Sequence, residues 1–512
     1  MPVKIYLLFV FFVFFSCSTE KKQEEITAVK PSNKNGEALA KIYCGSCHQF
    51  PEPQLLPKHI WKQKVLPNMA QRLGLENDFF KLYYHYDPEE MGIIINAHVY
   101  PENPQIAKQD WDKIVKYYVN NAPQEPIKQA TKSKVKVGSP NFEVHKIYGN
   151  AKTIPSVTAL KFNPQDKSIY AGWLVESSFL KKYNTNFVQI DSFNLQSPVS
   201  QINFERNTLS YLSMGKINPS DKPAGSLVNL TPSNKPKQLI NQLLRPVQMS
   251  MGDLNADGTQ DYLICNFGNE TGNLTWYDGK TLKPNLLKQA PGARMSYIAD
   301  LNHDKMLDIV VLMTQAREGV YVFYNQGNGT FDEKQILEFS SVFGSSYIDL
   351  VDFNKDGFLD LVYTNGDNAD LSYSLKSYHG IRIFLNDKKG NYTQSYFYPV
   401  FGASKALAVD FDSDGDLDIA TISFFPNRDQ KPNEGFLFLE NKGNNQFNVS
   451  TVKEAELGKW MVMEVADVDS DGDKDIILGS YLRDGEDDLR AINSKNKNLP
   501  AILVLENKIL NK

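Results

Sequence analysis

Two thiols and an imidazole fall within five residues, Cys44-Gly45-Ser46-Cys47-His48. Cys-x-x-Cys-His is the spacing that attaches a c-type haem: the thiols add across the vinyl groups, and the histidine on the same turn becomes the proximal iron ligand. A zinc reading lacks its other half, because no second cysteine pair or histidine pair completes a tetrahedral site. The 512-residue chain has four cysteines, so no disulfide framework exists. Cys265, in the apolar run Tyr262-Leu263-Ile264-Cys265, reads as a small buried hydrophobe.

A second chemistry recurs five times. Its residues are Asp253, Asn255, Asp257 and Asp261; Asp300, Asn302, Asp304 and Asp308; Asp352, Asn354, Asp356 and Asp360; Asp410, Asp412, Asp414 and Asp418; Asp467, Asp469, Asp471 and Asp475. Alternate oxygen side chains bent around a glycine form a cage for a hard cation, and calcium is the expected occupant. In the second loop Lys305 stands where the others have glycine, at a bend where a positive φ is required. Each loop joins one apolar strand to another, as Tyr347–Val351 does to Leu359–Tyr363, so these are β-hairpin loops and not helix-loop-helix hands.

The elements that must position these groups fall into two bodies. From 36 to 122 the pattern is helical: Ala38, Leu39, Ile42 and Tyr43 form an apolar stripe leading into the thiols. Trp61 to Gly74 is a second helix carrying Met69, and a closing helix bears Trp111, Ile114, Val115 and Tyr118 behind Asp110 as its expected N-cap. Met69 is the first choice for the distal haem ligand and Met91 the second, with His59, His85 and His98 also in the domain. This arrangement resembles a small all-α cytochrome c domain, in which the first and last helices cross beside the haem.

Residues 123–140 read as a linker, and 141–512 as an all-β domain with its loops repeating about every fifty residues. These units resemble FG-GAP/VCBS repeats, the calcium-loop blades of integrin-type β-propellers. The resemblance implies four-stranded blades. Two blades without cation loops, from Val157-Thr158-Ala159-Leu160 and Val199-Ser200-Gln201-Ile202, bring the expected number to seven. The segment Phe142 to Tyr148 has no blade of its own and is expected to complete the last blade beside Ala501–Leu505, which closes the ring and removes its free edges.

Connections between second and third strands are long at Thr364–Gly380, Phe424–Gly435 and Ser480–Pro500. Long loops of this kind carry function, and the polar groups Asp367, Asn368, Asp370 and His379 mark that face as the expected ligand face.

At the N-terminus, Lys4 and the apolar stretch Ile5–Phe15 form a signal-peptide core (1–16), too short to span a bilayer. Cys17 follows Ser16 as in a bacterial lipobox, implying a lipidated tether (17–35) that anchors an exported protein to a membrane facing the periplasm or cell surface. The net charge of −5 carries no basic block, which argues against a nucleic-acid partner. The chain thus reads as an exported haem electron carrier with a redox partner protein, its calcium-bearing propeller binding that partner, a carbohydrate or a small molecule. Two alternatives stand beside it: a periplasmic propeller dehydrogenase, quinone- or metal-dependent, that reduces its own haem, and a surface adhesin or glycan-binding module.

Overall fold

The computed structural model describes residues 29–75, 86–138, 141–149, 154–205, 208–230, 236–315, 317–369, 372–482 and 498–509. Cys17, His85 and Asp370 lie outside the described residues, as does most of the connection after Ser480.

Seven antiparallel sheets form the blades of a propeller. Blades 1 and 2 run from Val157 to Leu195 and from Val199 to Leu243; blades 3 to 6 begin at Pro246, Ala293, Ser345 and Ala403. Blade 7 takes three strands from Trp460–Ala466, Asp475–Ser480 and Pro500–Asn507, and its outer strand is Phe142–Tyr148. Glu143 faces Glu506 and His145 faces Val504 in that last pairing, so the ring closes with strands from both ends of the domain. The second strands are buried along their whole length, as in Asp308–Met313, because packed blades cover both of their faces. Outer strands such as Phe331–Glu338 are largely exposed.

The segment expected to be a linker is part of the propeller. Lys136–Val137 adds a parallel fifth strand to blade 6, Val135 is buried in the core between blades 5 and 6, and Lys132 donates to Glu434 and to the Pro399 carbonyl.

The N-terminal body is helical. Helix α1 (Gly36–Tyr43) is capped by the Asn35 side chain, which accepts from the Ala38 N–H. Helix α2 runs through Lys58–Ile60, a wider π turn at Trp61–Val65 and Leu66–Arg72. Pro67 lacks an N–H and would crowd the carbonyl four residues earlier, which accounts for the local opening. Helices α3 (Pro88–Asn96) and α4 (Lys108–Asn121) follow. As expected, α1 and α4 cross closely: a Cβ on Gly36 would lie 2.2 Å from the Lys113 carbonyl oxygen. Asp110 is not the cap of α4, which Ala107 precedes; its buried carboxylate instead accepts the Ser32 N–H and pairs with Lys113 at 2.8 Å.

Candidate functional site

Cys44 ends α1, and Cys47 and His48 follow on the next turn. Both thiols are free. Burial pushes the Cys44 thiol up to about 11, so it lacks the stabilised thiolate of a catalytic Cys-x-x-Cys pair. His48 sets Nδ1 3.0 Å from the Gln49 carbonyl oxygen, and partial burial lowers its pKa. If Nδ1 carries the proton toward that carbonyl, Nε2 keeps its lone pair for a metal, the usual second contact of a ligating histidine. These groups fit a covalently held haem.

Cys44 and Met69 pack against the same core of Leu39, Leu56, Trp61, Ile114 and Tyr118. Met91, also buried, is not part of that core, and His59 and His98 are exposed.

The helical body sits on the propeller face made by the connections between second and third strands. Glu90 of α3 accepts the Ser220 hydroxyl and the Asp221 N–H at 3.1 Å from blade 2. Buried Asp221 in turn gathers the N–H groups of Asn269, Glu270 and Thr271 from blade 3. Glu270 then reaches back to Arg72 of α2 at 2.6 Å. From blade 4, Arg317 donates to the Cys47 carbonyl at 3.3 Å. Val342 enters the helical core, and the Tyr378 hydroxyl donates to the carbonyls of Leu55 and Val342.

This docking changes the meaning of the face expected to meet a ligand. Asn368 and His379 are buried at 4% and 1% exposure. The Asn368 amide donates to Ser374 in its own loop, and Asp367 accepts the Ala369 N–H. Asn368 and His379 thus face inward, while Asp367, Tyr373 and Leu375 of the same loop remain exposed.

The five acidic hairpins lie on the opposite face and share one backbone path. Ala256, His303, Lys355, Ser413 and Ser470 all have φ between 59° and 69°. The bend that follows has positive φ at Gly258, Gly357, Gly415 and Gly472, and Lys305 adopts it too, at 74°. Lys305 keeps the loop form, its N–H donating to Asp300 at 2.9 Å as Gly258 does to Asp253 at 2.8 Å.

Oxygen availability divides the five. Asp253, Asp300 and Asp352 each turn both carboxylate oxygens onto backbone N–H groups of their own loop. Asp410 Oδ1 and Asp467 Oδ1 are buried without a hydrogen-bond partner. Blades 6 and 7 also have Asp412 and Asp469 where the others have asparagine, and there three carboxylates place ligand atoms within 4.8 Å of one another. Burial, then neighbouring carboxylates, raises Asp418 and Asp475 to about 7. Burial raises Asp469 as well, to about 6. This is the electrostatic frustration that a divalent cation relieves.

The last aspartate of each loop has a structural duty beside any ligand role. Asp261, Asp308, Asp360, Asp418 and Asp475 are fully buried. Each accepts an N–H from its own hairpin and another from the chain at or just past the end of the third strand, as Asp308 does from Leu301 and Asn325 and Asp261 from Leu254 and Gly279. Asn325, Asn386, Asn441 and Asn507 occupy that second position and return side-chain amides to nearby carbonyls. Their signal in the sequence is an asparagine ending the third strands of blades 4 to 7, in Phe323-Tyr324-Asn325, Phe384-Leu385-Asn386, Leu439-Glu440-Asn441 and Leu505-Glu506-Asn507.

Residues 300–363 match the FG-GAP-like repeat family. Cartilage acidic protein 1 of Mus musculus is 30% identical over 168 residues, which are 31% of this chain and 24% of that protein, so the chain spans about a quarter of that relative. Among solved structures, a candidate 6-phosphogluconolactonase from Bacteroides fragilis is similar at a TM-score of 0.39 and 11% identity, over 57% of this chain and 82% of that one. An auxiliary nutrient binding protein from Bacteroides ovatus is similar at a TM-score of 0.35 and 11% identity, over 55% and 74%.

Proposed function

We propose that this seven-bladed protein with an FG-GAP-like repeat is an exported electron-transfer protein whose helical domain carries covalent haem c. The observation that carries the reading is the Cys44, Cys47 and His48 constellation: two unpaired thiols on the turn after α1, and an imidazole whose Nδ1 approaches the Gln49 carbonyl. Cys44 and Cys47 hold the group, His48 Nε2 is its proximal ligand, and Met69 is the distal one. Bound haem supplies a one-electron centre. The surroundings that support this placement are the crossing of α1 and α4 at Gly36, one helix length before the thiols, and the Arg317 contact that ties the motif to blade 4. Calcium in the acidic hairpins braces the opposite face, and diacylglycerol on Cys17 tethers the protein to a membrane. A redox partner protein is the expected partner.

The test is export in a host that matures c-type haem, followed by denaturing electrophoresis with haem staining. Wild type should keep its haem, and the Cys44→Ser/Cys47→Ser variant should lose it. A wild-type protein without covalent haem, made beside a control cytochrome that acquires it, overturns the assignment. Met69→Ala should lower the potential; the same effect from Met91→Ala alone would reassign the distal ligand.

The FG-GAP-like repeat favours one other reading, a binding or adhesin-like module in which the haem is secondary. Glycan-array binding without any partner-dependent haem reduction would select it.

A further inference from the structure

Where the ring closes, Glu143, His145 and Glu506 bring one ligand atom each to within 4.8 Å of the other two. Their placement follows from strand geometry. Glu143 and His145 are two residues apart on the outer strand of blade 7 and so point to the same face, and Glu506 stands directly across from Glu143 on the neighbouring strand. Phe142 and Val144 alternate with them and point into the core toward blade 6. The polar set therefore faces blade 1.

Two like charges directly opposite on a sheet destabilise the pair unless a cation lies between them. Lys508 pairs with Glu506 Oε1, which leaves Oε2, and that oxygen lies 2.5 Å from His145 Nε2. The His145 ring packs on Phe187 from blade 1 with centroids 4.9 Å apart, which limits its rotation. His145 and Glu506 line a half-open pocket of about 380 Å³ together with Thr185, Asn186 and Asp469; Glu143 approaches the pair from outside its lining. A structural ion pair needs no such space. A metal with an open coordination position does.

We infer that Glu143, His145 and Glu506 form a binding site for a first-row divalent metal of the zinc class that clasps the closing blade, adjoining the blade 7 hairpin where Glu506 meets Asp469 and distinct from it in offering a nitrogen ligand. One imidazole with two carboxylates selects such an ion over calcium, which takes oxygen ligands alone. The metal takes the place of the direct contact between His145 Nε2 and Glu506 Oε2. Bonds of about 2 Å at a tetrahedral angle need the nitrogen and oxygen roughly 3.3 Å apart, an opening that side chains on an accessible strand face can make by rotation. Because its ligands come from the first and last strands of the propeller, the ion joins the two ends of the ring.

The experiment uses the full-length exported protein in saturating calcium, dialysed against buffered zinc and measured by elemental analysis and thermal melting. Wild type should hold one more zinc per chain than His145→Ala, and zinc should raise the melting temperature of wild type alone. Glu143→Gln, at an exposed position where folding is not at stake, should weaken that zinc by about tenfold or more. Equal zinc content in wild type and both variants overturns the inference. So does displacement of the extra zinc by calcium, which would assign the ion to the blade 7 hairpin.

Discussion

Removing the Glu90 carboxylate should undock the helical body while leaving the propeller intact. In Glu90→Ala, the buried Ser220 hydroxyl and Asp221 N–H both lose their acceptor. Hydrogen bonds to a charged group contribute about 1.5–3 kcal/mol each. The neighbouring Lys222 pairs with Asp87 and Glu89, at 2.6 and 2.9 Å, remain, and exposed pairs of that kind add little because solvent screens them. A loss of roughly 3 kcal/mol is therefore expected, a change of about 150-fold in the docking equilibrium. Hydrogen exchange reads this directly: amides in α3 and in the 269–271 loop should lose protection by about that factor, and strand amides such as those of Val310 and Val311 should not change. Glu90→Gln keeps an oxygen acceptor and should lie close to wild type. If Glu90→Ala leaves α3 protection unchanged, or lowers it equally in the blade strands, the contact is not what holds the domain in place.

Calcium titration should find two strong sites, in blades 6 and 7, because only there do Asp410 and Asp467 keep a buried oxygen without a partner; five equal sites by calorimetry would refute this. Chelation should then remove about 2.7 kcal/mol per site that had been held at a hundredfold over its Kd, seen as a lower melting temperature. His379 is held neutral, its pKa driven well below the ordinary value by burial first and then by Lys376 and Arg382. The unfolded chain takes up that proton near pH 6.5, so this contribution to stability is present above that pH and lost as pH falls, and His379→Gln should flatten the melting temperature below about pH 6.5. Tyr378→Phe should weaken docking by about 0.5–1.5 kcal/mol through loss of its contact with the Leu55 carbonyl, measured by the same exchange experiment.

What could be read in the sequence was whatever the chain repeats or encodes locally. Five hairpins impose one backbone path, so the spacing of their aspartates and glycines announced the blades, and the orphan strand at Phe142 announced how the ring closes. Long-range matches left no such trace. Arg72 meets Glu270 across 198 residues, and nothing near either residue marks the other. Asp110 has the composition of a cap, yet its carboxylate is taken by Ser32 from another segment. The division among the cation loops was half visible, in the exchange of Asn354 for Asp412 and Asp469. The other half, which oxygens are already taken by backbone N–H groups, depends on loop geometry that the five motifs share only in outline.

The position of the helical body also redistributes function over the molecule. Loop length and polar composition pointed to the Thr364–Gly380 connection as a place for ligands; the structure buries Asn368 and His379 there and sets Tyr378 against Leu55, while Asp367, Tyr373 and Leu375 stay exposed. Length was needed there because a connection that must reach a second domain and bury polar groups such as Asn368 cannot be a tight turn. On the function proposed above, a redox partner would approach the helical body from the side turned away from the blades, while the hairpin carboxylates and the cavity beside His145 lie at the other end of the ring. Under that proposal, electron exchange and cation binding would lie at opposite ends of one propeller axis, joined through the packed blades, so a change at one end should reach the other through stability and not through contact.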